Sequence, residues 1–312
     1  MEGMKNLECS LWKELDSEGF CVVDGVIPEE QCRDLRDSIV RKMVEAGWQN
    51  PVSGKWEAPP SIHGIYQDYG VGHLEEVWAV RKACKKMFAS LWGTEDLLCS
   101  FDGLSFLPVG VRWPNVTAAW YHIDQGSSKK GLRCIQGLLT LNEMQDTDAT
   151  FSIFPGTHSH HEQFRELFGK SVEQAGDFVP IGKNWPYPVC ANIWDFYNQK
   201  GHTPKRIKAN AGSMILWDSR CVHSNLPPVR SPSENERLVV YVCMLPKSLC
   251  SEEHLGEKVD LFDRGGMSSH WPYPVTPFKV SEKTENLQKK VLPSELNRLK
   301  NDREVCSLAG IS

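Results

Sequence analysis

Three side chains from two distant stretches of the chain have the types and spacing of an iron site. His122 and Asp124 are separated by one residue, and His223 follows far downstream. Two imidazoles and one carboxylate can hold Fe(II) on one face and leave the opposite face open for a cosubstrate and oxygen. We therefore predict that these three residues are metal ligands and that their site activates oxygen.

The sequence around these residues favours the metal interpretation. His122 closes an apolar run at 118–121 that is typical of a strand, and a turn at 125–128 follows. Residues i and i+2 of an extended segment point to the same side, so His122 and Asp124 can bind one ion together. His223 comes after a predicted strand at 213–217 and a turn. The alternative is that the three are unrelated surface or core residues.

A candidate anion-binding arginine lies downstream of His223. The last predicted strand begins at Arg237, and a guanidinium can form a bidentate pair with a carboxylate, which an ammonium cannot. Arg230 competes for this role, but it lies in a loop rich in proline and serine that would hold it less rigidly. We favour Arg237.

The composition narrows the class of protein. The chain has 312 residues, 40% hydrophobic and 24% charged, which is typical of a globular protein. A net charge of −5 gives no reason to expect nucleic-acid binding, and no apolar run approaches the roughly 20 residues that span a bilayer. No secretory or peroxisomal signal is recognisable. We expect a cytoplasmic protein with a small-molecule substrate, no nucleic-acid or membrane partner, and an oligomeric state that the sequence leaves open.

The periodicity predicts a mainly β fold with flanking helices. Apolar residues recur at helical spacing over 28–47 and 74–93. Short apolar runs between 97 and 245, the first of them over 97–107, then indicate five or more strands. This order favours a jelly roll, the double-stranded β-helix of cupin-like proteins. We expect one domain, 1–312, with an N-terminal part (1–96), a core (97–250) and a tail (251–312). An insertion at 159–205 would form a lid or pocket wall.

Several segments, taken in order, resemble the phytanoyl-CoA dioxygenase-like branch of the Fe(II)/2-oxoglutarate-dependent oxygenases. The similar segments cover most of the chain. They are residues 16–23 and 27–30, the His122–Asp124 motif, residues 154–158 and 212–217, His223, and Arg237.

This resemblance implies a double-stranded β-helix that binds Fe(II) through His122, Asp124 and His223. It also implies 2-oxoglutarate as cosubstrate, with its far carboxylate on Arg237. Asn225 and Gln136 would help to hold the cosubstrate. Such an enzyme uses O2, releases succinate and CO2, and usually hydroxylates its substrate, with desaturation or ring formation as variants. Two alternatives remain: a cupin-like metalloenzyme that does not use 2-oxoglutarate, and a catalytically silent protein that binds iron and 2-oxoglutarate.

Other patterns have two interpretations each. The sequence Trp-Pro-Tyr-Pro-Val occurs at 185–189 and again at 271–275, either by chance or for a shared role. The histidines His158, His160 and His161 are expected on a solvated turn rather than at a second metal site. Eleven cysteines without a Cys-x-x-Cys pair are expected to be reduced thiols. Trp113 and Trp185 are candidates for pocket lining, and His63 for a residue bordering the site.

Overall fold

A computed structural model describes residues 2–57, 61, 64–67, 69–113, 119–183, 185–278 and 293–311, with side chains from residue 10 onward. The helices are α1 Glu2–Glu18, α2 Glu29–Glu45, α3 Glu75–Trp92, α4 His161–Val172, α5 Pro188–Gln199, α6 Glu252–Asp263, α7 293–299 and α8 Arg303–Ala309. The strands are β1 Phe20–Val23, β2 Ile65–Tyr66, β3 Leu97–Cys99, β4 Leu104–Leu107, β5 His122–Ile123, β6 Ile135–Thr140, β7 Thr150–Ile153, β8 Val179–Pro180, β9 Lys205–Arg206, β10 Met214–Asp218, β11 His223–Leu226 and β12 Arg237–Pro246. In the described part of the chain, none of the helices is long and apolar enough to cross a bilayer.

The two predicted helices are present as α2 and α3. Pro28 precedes α2, whose first turn carries Glu29 and Glu30 at the positive end of the helix dipole. Gly93 ends α3 with a φ of 65°, a conformation that costs glycine little. The helical periodicity of the sequence therefore located both elements to within a few residues.

The strands form two antiparallel sheets. The larger sheet has seven strands, in the order β1-β10-β6-β12-β4-β2 with β3 also on β12, and the smaller has five, in the order β8-β5-β11-β7-β9. The sequence predicts one strand over 97–107, but the structure divides it into β3 and β4. These pair with different parts of β12, and at the break a Cβ on Gly103 would lie 1.8 Å from the Tyr66 carbonyl oxygen. A mainly antiparallel fold with flanking helices is confirmed.

Side-chain alternation gives the larger sheet two different faces. Its outer face packs against the helices through an apolar cluster that includes Leu216, Leu238, Val240, Trp78 and Phe88. Its inner face meets the smaller sheet through a second cluster, in which the rings of Trp217 and Phe151 lie 4.5 Å apart. The space between the two sheets is where the inward-facing polar residues lie.

The predicted insertion is more ordered than its composition suggests. Helices α4 and α5 pack behind the smaller sheet through a third apolar cluster that includes Phe164, Ile193 and Tyr197. Strand β8 pairs with β5, so that Pro180 lies opposite His122. The segment therefore extends the smaller sheet next to a predicted metal ligand.

The ten described cysteines are free thiols, and eight of them are buried. Burial raises the pKa of Cys21 to about 12 and that of Cys32 to about 11. The Sγ atoms of Cys134 and Cys243 lie 3.2 Å apart on adjacent strands. The thiols thus serve as small core side chains, as free buried cysteines commonly do.

Candidate active site

His122, Asp124 and His223 meet on the inner face of the smaller sheet. His122 on β5 pairs directly with His223 on β11, and Asp124 follows His122 on the same side of the chain. Asp124 Oδ2 lies 3.5 Å from Nε2 of His122 and 3.2 Å from Nε2 of His223. One ligand atom from each residue lies within 4.8 Å of the other two, and all three residues are buried.

The donor set fits a divalent metal ion. Nδ1 of His122 lies 2.9 Å from the Trp120 carbonyl oxygen, and Nδ1 of His223 lies 3.0 Å from that of Cys221. Each Nδ1 therefore donates its proton to a carbonyl, and each Nε2 lone pair faces Asp124. Neighbouring ligand atoms that each lie roughly 2.1 Å from one ion are themselves about 3 Å apart. The Nε2–Oδ2 separations agree with that requirement.

The Asp124 carboxylate is ionised and held in place. Burial alone would raise its pKa, but the nearby His122 and His270 lower it well below the ordinary value. Burial lowers the pKa of His122 and so favours the neutral ring that binds a metal, while the Asp124 carboxylate acts in the opposite direction. Nε2 of Gln136 donates a hydrogen bond of 3.0 Å to Asp124 Oδ2. Gln136 therefore contacts the carboxylate ligand, and its part in holding a cosubstrate stays a prediction.

Arg237 is a buried cation without an acidic partner in the described part of the chain. Its guanidinium donates to Asn225 Oδ1 at 2.9 Å, to the Ala149 carbonyl at 3.1 Å and to Ser105 Oγ at 3.3 Å. It is 3% exposed, and burial lowers its pKa. Burying a charge without a counter-charge is costly, so a bound anion would relieve the cost.

The competing arginine lies elsewhere. The side chain of Arg230 is 80% exposed and forms a surface ion pair with Glu234 at 3.5 Å. Asn225, by contrast, connects Arg237 to the site. It lines the cavity described below and donates to the Tyr241 hydroxyl at 2.7 Å. Asn225 therefore joins Arg237 to the wall of the cavity that holds the predicted metal ligands, whereas Arg230 lies on the surface.

A cavity of about 520 Å³ opens onto the three ligand residues, and its walls are largely aromatic. The rings of Trp120 and His122 stack at 4.4 Å, and Phe178 lies 4.6 Å from His122. Trp185 and Trp271, the first residues of the two Trp-Pro-Tyr-Pro-Val copies, both line the cavity. The two copies thus share a location, which favours a common role over chance.

Several polar cavity residues were not predicted, among them Gln67, Asp102 and His270. Nδ1 of His270 lies 3.9 Å from Asp124 Oδ2. Each of the three lies in a segment without a recognisable motif, and tertiary packing alone brings them to the site. The only signal in the sequence was that His270 precedes the second copy of the repeated pentapeptide.

Other predictions were wrong or fall outside the described residues. His158 and His161 are buried rather than solvated, because their Nε2 atoms bond to the carbonyls of Asp16 and Gln125, at 3.0 Å each. Trp113 is buried in a small apolar cluster away from the cavity lining. His63 lies outside the described residues.

Comparisons with known proteins support the fold. No family model matches the chain. It is 28% identical over 275 residues to Ava biosynthesis cluster protein O of Aspergillus versicolor, covering 84% of this chain and 86% of that protein. The solved non-heme alpha ketoglutarate dependent carbocyclase SnoK from nogalamycin biosynthesis has a TM-score of 0.51 at 14% identity, over 77% of this chain and 84% of that one. A putative oxidoreductase from Salmonella typhimurium LT2 has a TM-score of 0.52 at 14% identity, over 85% and 76% of the two chains. These likenesses show a shared fold.

Proposed function

We propose that this protein is an Fe(II)- and 2-oxoglutarate-dependent oxygenase of the phytanoyl-CoA dioxygenase-like type, with a double-stranded β-helix core. One observation carries the proposal. A two-histidine, one-carboxylate cluster lies on the inner surface of one sheet, and the buried guanidinium of Arg237, which has no acidic partner among the described residues, lies on the inner surface of the other. 2-Oxoglutarate (alpha ketoglutarate) has a keto acid for the metal and a second carboxylate for the guanidinium.

Each part of the site has a distinct task in this proposal. Iron, when bound with 2-oxoglutarate and O2, supplies the oxidising chemistry, with release of succinate and CO2. His122, Asp124 and His223 hold the metal, and Gln136 fixes the orientation of the carboxylate. Asn225 orients Arg237 towards the cosubstrate. The aromatic walls exclude water from the reacting groups.

The substrate is a small organic molecule, and the reaction that we propose is hydroxylation. A cavity of about 520 Å³ falls within the range of roughly 300 to 1,000 Å³ that is usual for small-molecule sites. The names of two similar proteins also refer to biosynthesis. The net charge of −5 does not favour nucleic acid as the substrate.

Arg237 favours this proposal over a cupin-like metalloenzyme without 2-oxoglutarate. Lewis-acid chemistry at the same three ligands gives no reason to bury a guanidinium that has no acidic partner among the described residues, at a cost of several kcal/mol. The second alternative, a silent binding protein, would keep Arg237 but would not turn over the cosubstrate. The formation of succinate separates it from an enzyme.

The proposal is tested by reconstituting the purified protein with Fe(II) in the absence of oxygen, adding 2-oxoglutarate and air, and measuring succinate. We expect the wild-type protein to form succinate and His122→Ala to form none. His254→Ala, which changes a histidine on α6 away from the cavity, should retain the wild-type rate. If iron-loaded wild-type protein forms no succinate even with a metabolite extract present, the oxygenase proposal fails.

A further inference from the structure

Acidic side chains outnumber permanently cationic ones among the described residues that line the cavity. They include three carboxylates, those of Asp102, Asp124 and Asp177, and no lysine or arginine is among the described lining residues. Asp124 faces the two histidine ligands, and Asp177 pairs with Lys129 at 2.6 Å. Asp102 is the carboxylate of this cavity that has neither a metal site nor a salt bridge among the described residues. Burial raises its pKa, and the nearby Gln67, His270 and Arg81 offset that rise only in part.

Asp102 lies in the turn between β3 and β4 and is only 4% exposed. Its Oδ1 accepts hydrogen bonds from Gln67 Nε2 at 2.9 Å and from the Gly103 amide at 2.7 Å. No hydrogen bond among the described residues reaches its Oδ2. The nearby guanidinium of Arg81 donates to backbone carbonyls instead, namely those of Gly72 and of Asp102 itself. One oxygen is therefore fixed in place, and the other is left for a partner.

The remaining surroundings of the cavity suit a cation. Aromatic faces attract positive charge, and Phe178 and Trp185 line the cavity. The ring of Trp271, which also lines it, already has the Lys129 ammonium 4.8 Å from its centre. Asp102, Asp124 and His270 all line the cavity, and Nδ1 of His270 lies 3.9 Å from Asp124 Oδ2. A group bound at Asp102 would therefore lie in the same cavity as the metal ligands.

We propose that the substrate carries a protonated nitrogen, an amine or a guanidinium, on a mainly apolar body, and that Asp102 binds this nitrogen through Oδ2. The aromatic walls then hold the apolar body against the metal face. A cation bound at Oδ2 would offset the cost of burying the Asp102 charge, which a neutral donor such as a hydroxyl group would not do. This inference rests on the proposed function for its reaction, but the ionic contact itself is independent of iron.

Isosteric probes test the contact directly. The protein is titrated by calorimetry at pH 7 with benzylamine, phenethylamine and tryptamine, and with the matched alcohols benzyl alcohol, 2-phenylethanol and tryptophol. We expect at least one amine to bind about tenfold more tightly than its alcohol, as for a charge-assisted hydrogen bond. Asp102→Asn keeps an oxygen for Gln67 and Gly103 but removes the charge, and it should lower this ratio to about one or two. Asp96→Asn, an exposed control, should leave the ratio unchanged.

Three results would overturn the inference: equal binding within every pair, a preference that survives Asp102→Asn, or no binding by any amine. If Asp102→Asn fails to fold, the amine-to-alcohol affinity ratios of the wild-type protein still show whether the cavity prefers a cation. Gln67→Leu then serves as the second variant. The hydrogen bond from Gln67 lowers the pKa of Asp102, so its loss favours the neutral carboxyl group and should lower the ratio. Succinate is measured in parallel. Succinate without an amine preference refutes only the substrate class, whereas an amine preference without succinate refutes only the oxygenase proposal.

Discussion

The two faces of the larger sheet perform different tasks with the same strands. Along β12, Leu238 and Val240 point outward into the helix-packed cluster, while Arg237 and Tyr241 point towards the smaller sheet. Adjacent residues of a strand face opposite sides, so stability and chemistry occupy alternate positions of one sequence. Substitutions at neighbouring residues should therefore separate the two properties.

The largest effect is expected at Asp124, on the inner face of the site. Asp124→Ala removes the only carboxylate between the two imidazoles, and succinate formation should fall by about a thousandfold or more. Iron bound per protein, measured by elemental analysis, should fall with it. Asp96→Ala serves as the exposed control. Full activity in Asp124→Ala would refute the ligand assignment.

Leu238→Ala tests the outer face. Leu238 is fully buried in the apolar cluster beneath the helices, so its truncation should lower the free energy of unfolding by about 2 to 5 kcal/mol. Urea unfolding measures this loss. Below the unfolding transition, the KM for 2-oxoglutarate should stay at the wild-type value. A large change in that KM would show that the two faces are not independent.

Arg237→Gln, one residue away, should have the complementary effect. We expect the KM for 2-oxoglutarate to rise by about tenfold to a hundredfold, or about 1.4 to 2.7 kcal/mol, while iron content stays nearly unchanged. Steady-state kinetics with varied cosubstrate provide the measurement. Arg230→Gln is the matched control at the exposed position. The choice of arginine is wrong if Arg230→Gln raises the KM instead.

The smallest effect concerns a buried cation in the helical layer. Burial lowers the pKa of Lys258 to about 7, and its ammonium lies 3.6 Å from the centre of the Phe101 ring. Between pH 7 and about 10.4 the unfolded chain binds a proton that the folded protein does not, so this lysine makes stability rise with pH. From pH 6.5 to pH 8, the unfolding free energy of the wild type should therefore rise by about 1 kcal/mol relative to that of Lys258→Met.

Urea titrations of both proteins at each pH measure this relative change. The thiols contribute to the pH dependence of both proteins, so their contribution cancels when one free energy is subtracted from the other. A constant difference across this range would contradict the lowered pKa of Lys258. Succinate formation per folded protein should be equal in the two, because Lys258 is not among the residues that line the cavity.

Local patterns predicted much of this molecule. One residue separates His122 from Asp124, and this spacing places both side chains on the same side of an extended segment. Helices α2 and α3 could be predicted from the spacing of their apolar residues. Features that depend on tertiary contacts could not be predicted from the sequence. The division into β3 and β4 depends on two partners along β12. Asp102 and His270 come to the cavity from segments that have no chemical motif.

His158 and His161 are a second case in which tertiary contacts made a prediction from local sequence wrong. A polar run next to a turn suggests solvent, yet backbone carbonyls from Asp16 and Gln125 accept hydrogen bonds from His158 and His161 and make their burial favourable. Those acceptors come from distant parts of the chain. A single sequence does not reveal which polar side chains will find such partners.

The burial of most described cysteines has a consequence for the resistance of the proposed oxygenase to oxidation. Enzymes that handle oxygen generate damaging oxidants when turnover is uncoupled from the substrate, and it is the thiolate form of cysteine that they attack. Eight of the described cysteines are shielded from solvent, and burial keeps Cys21 and Cys32 protonated at neutral pH. If the proposed function is correct, oxidation of the described thiols would begin at the more accessible Cys250 and Cys306 and leave those of the core intact.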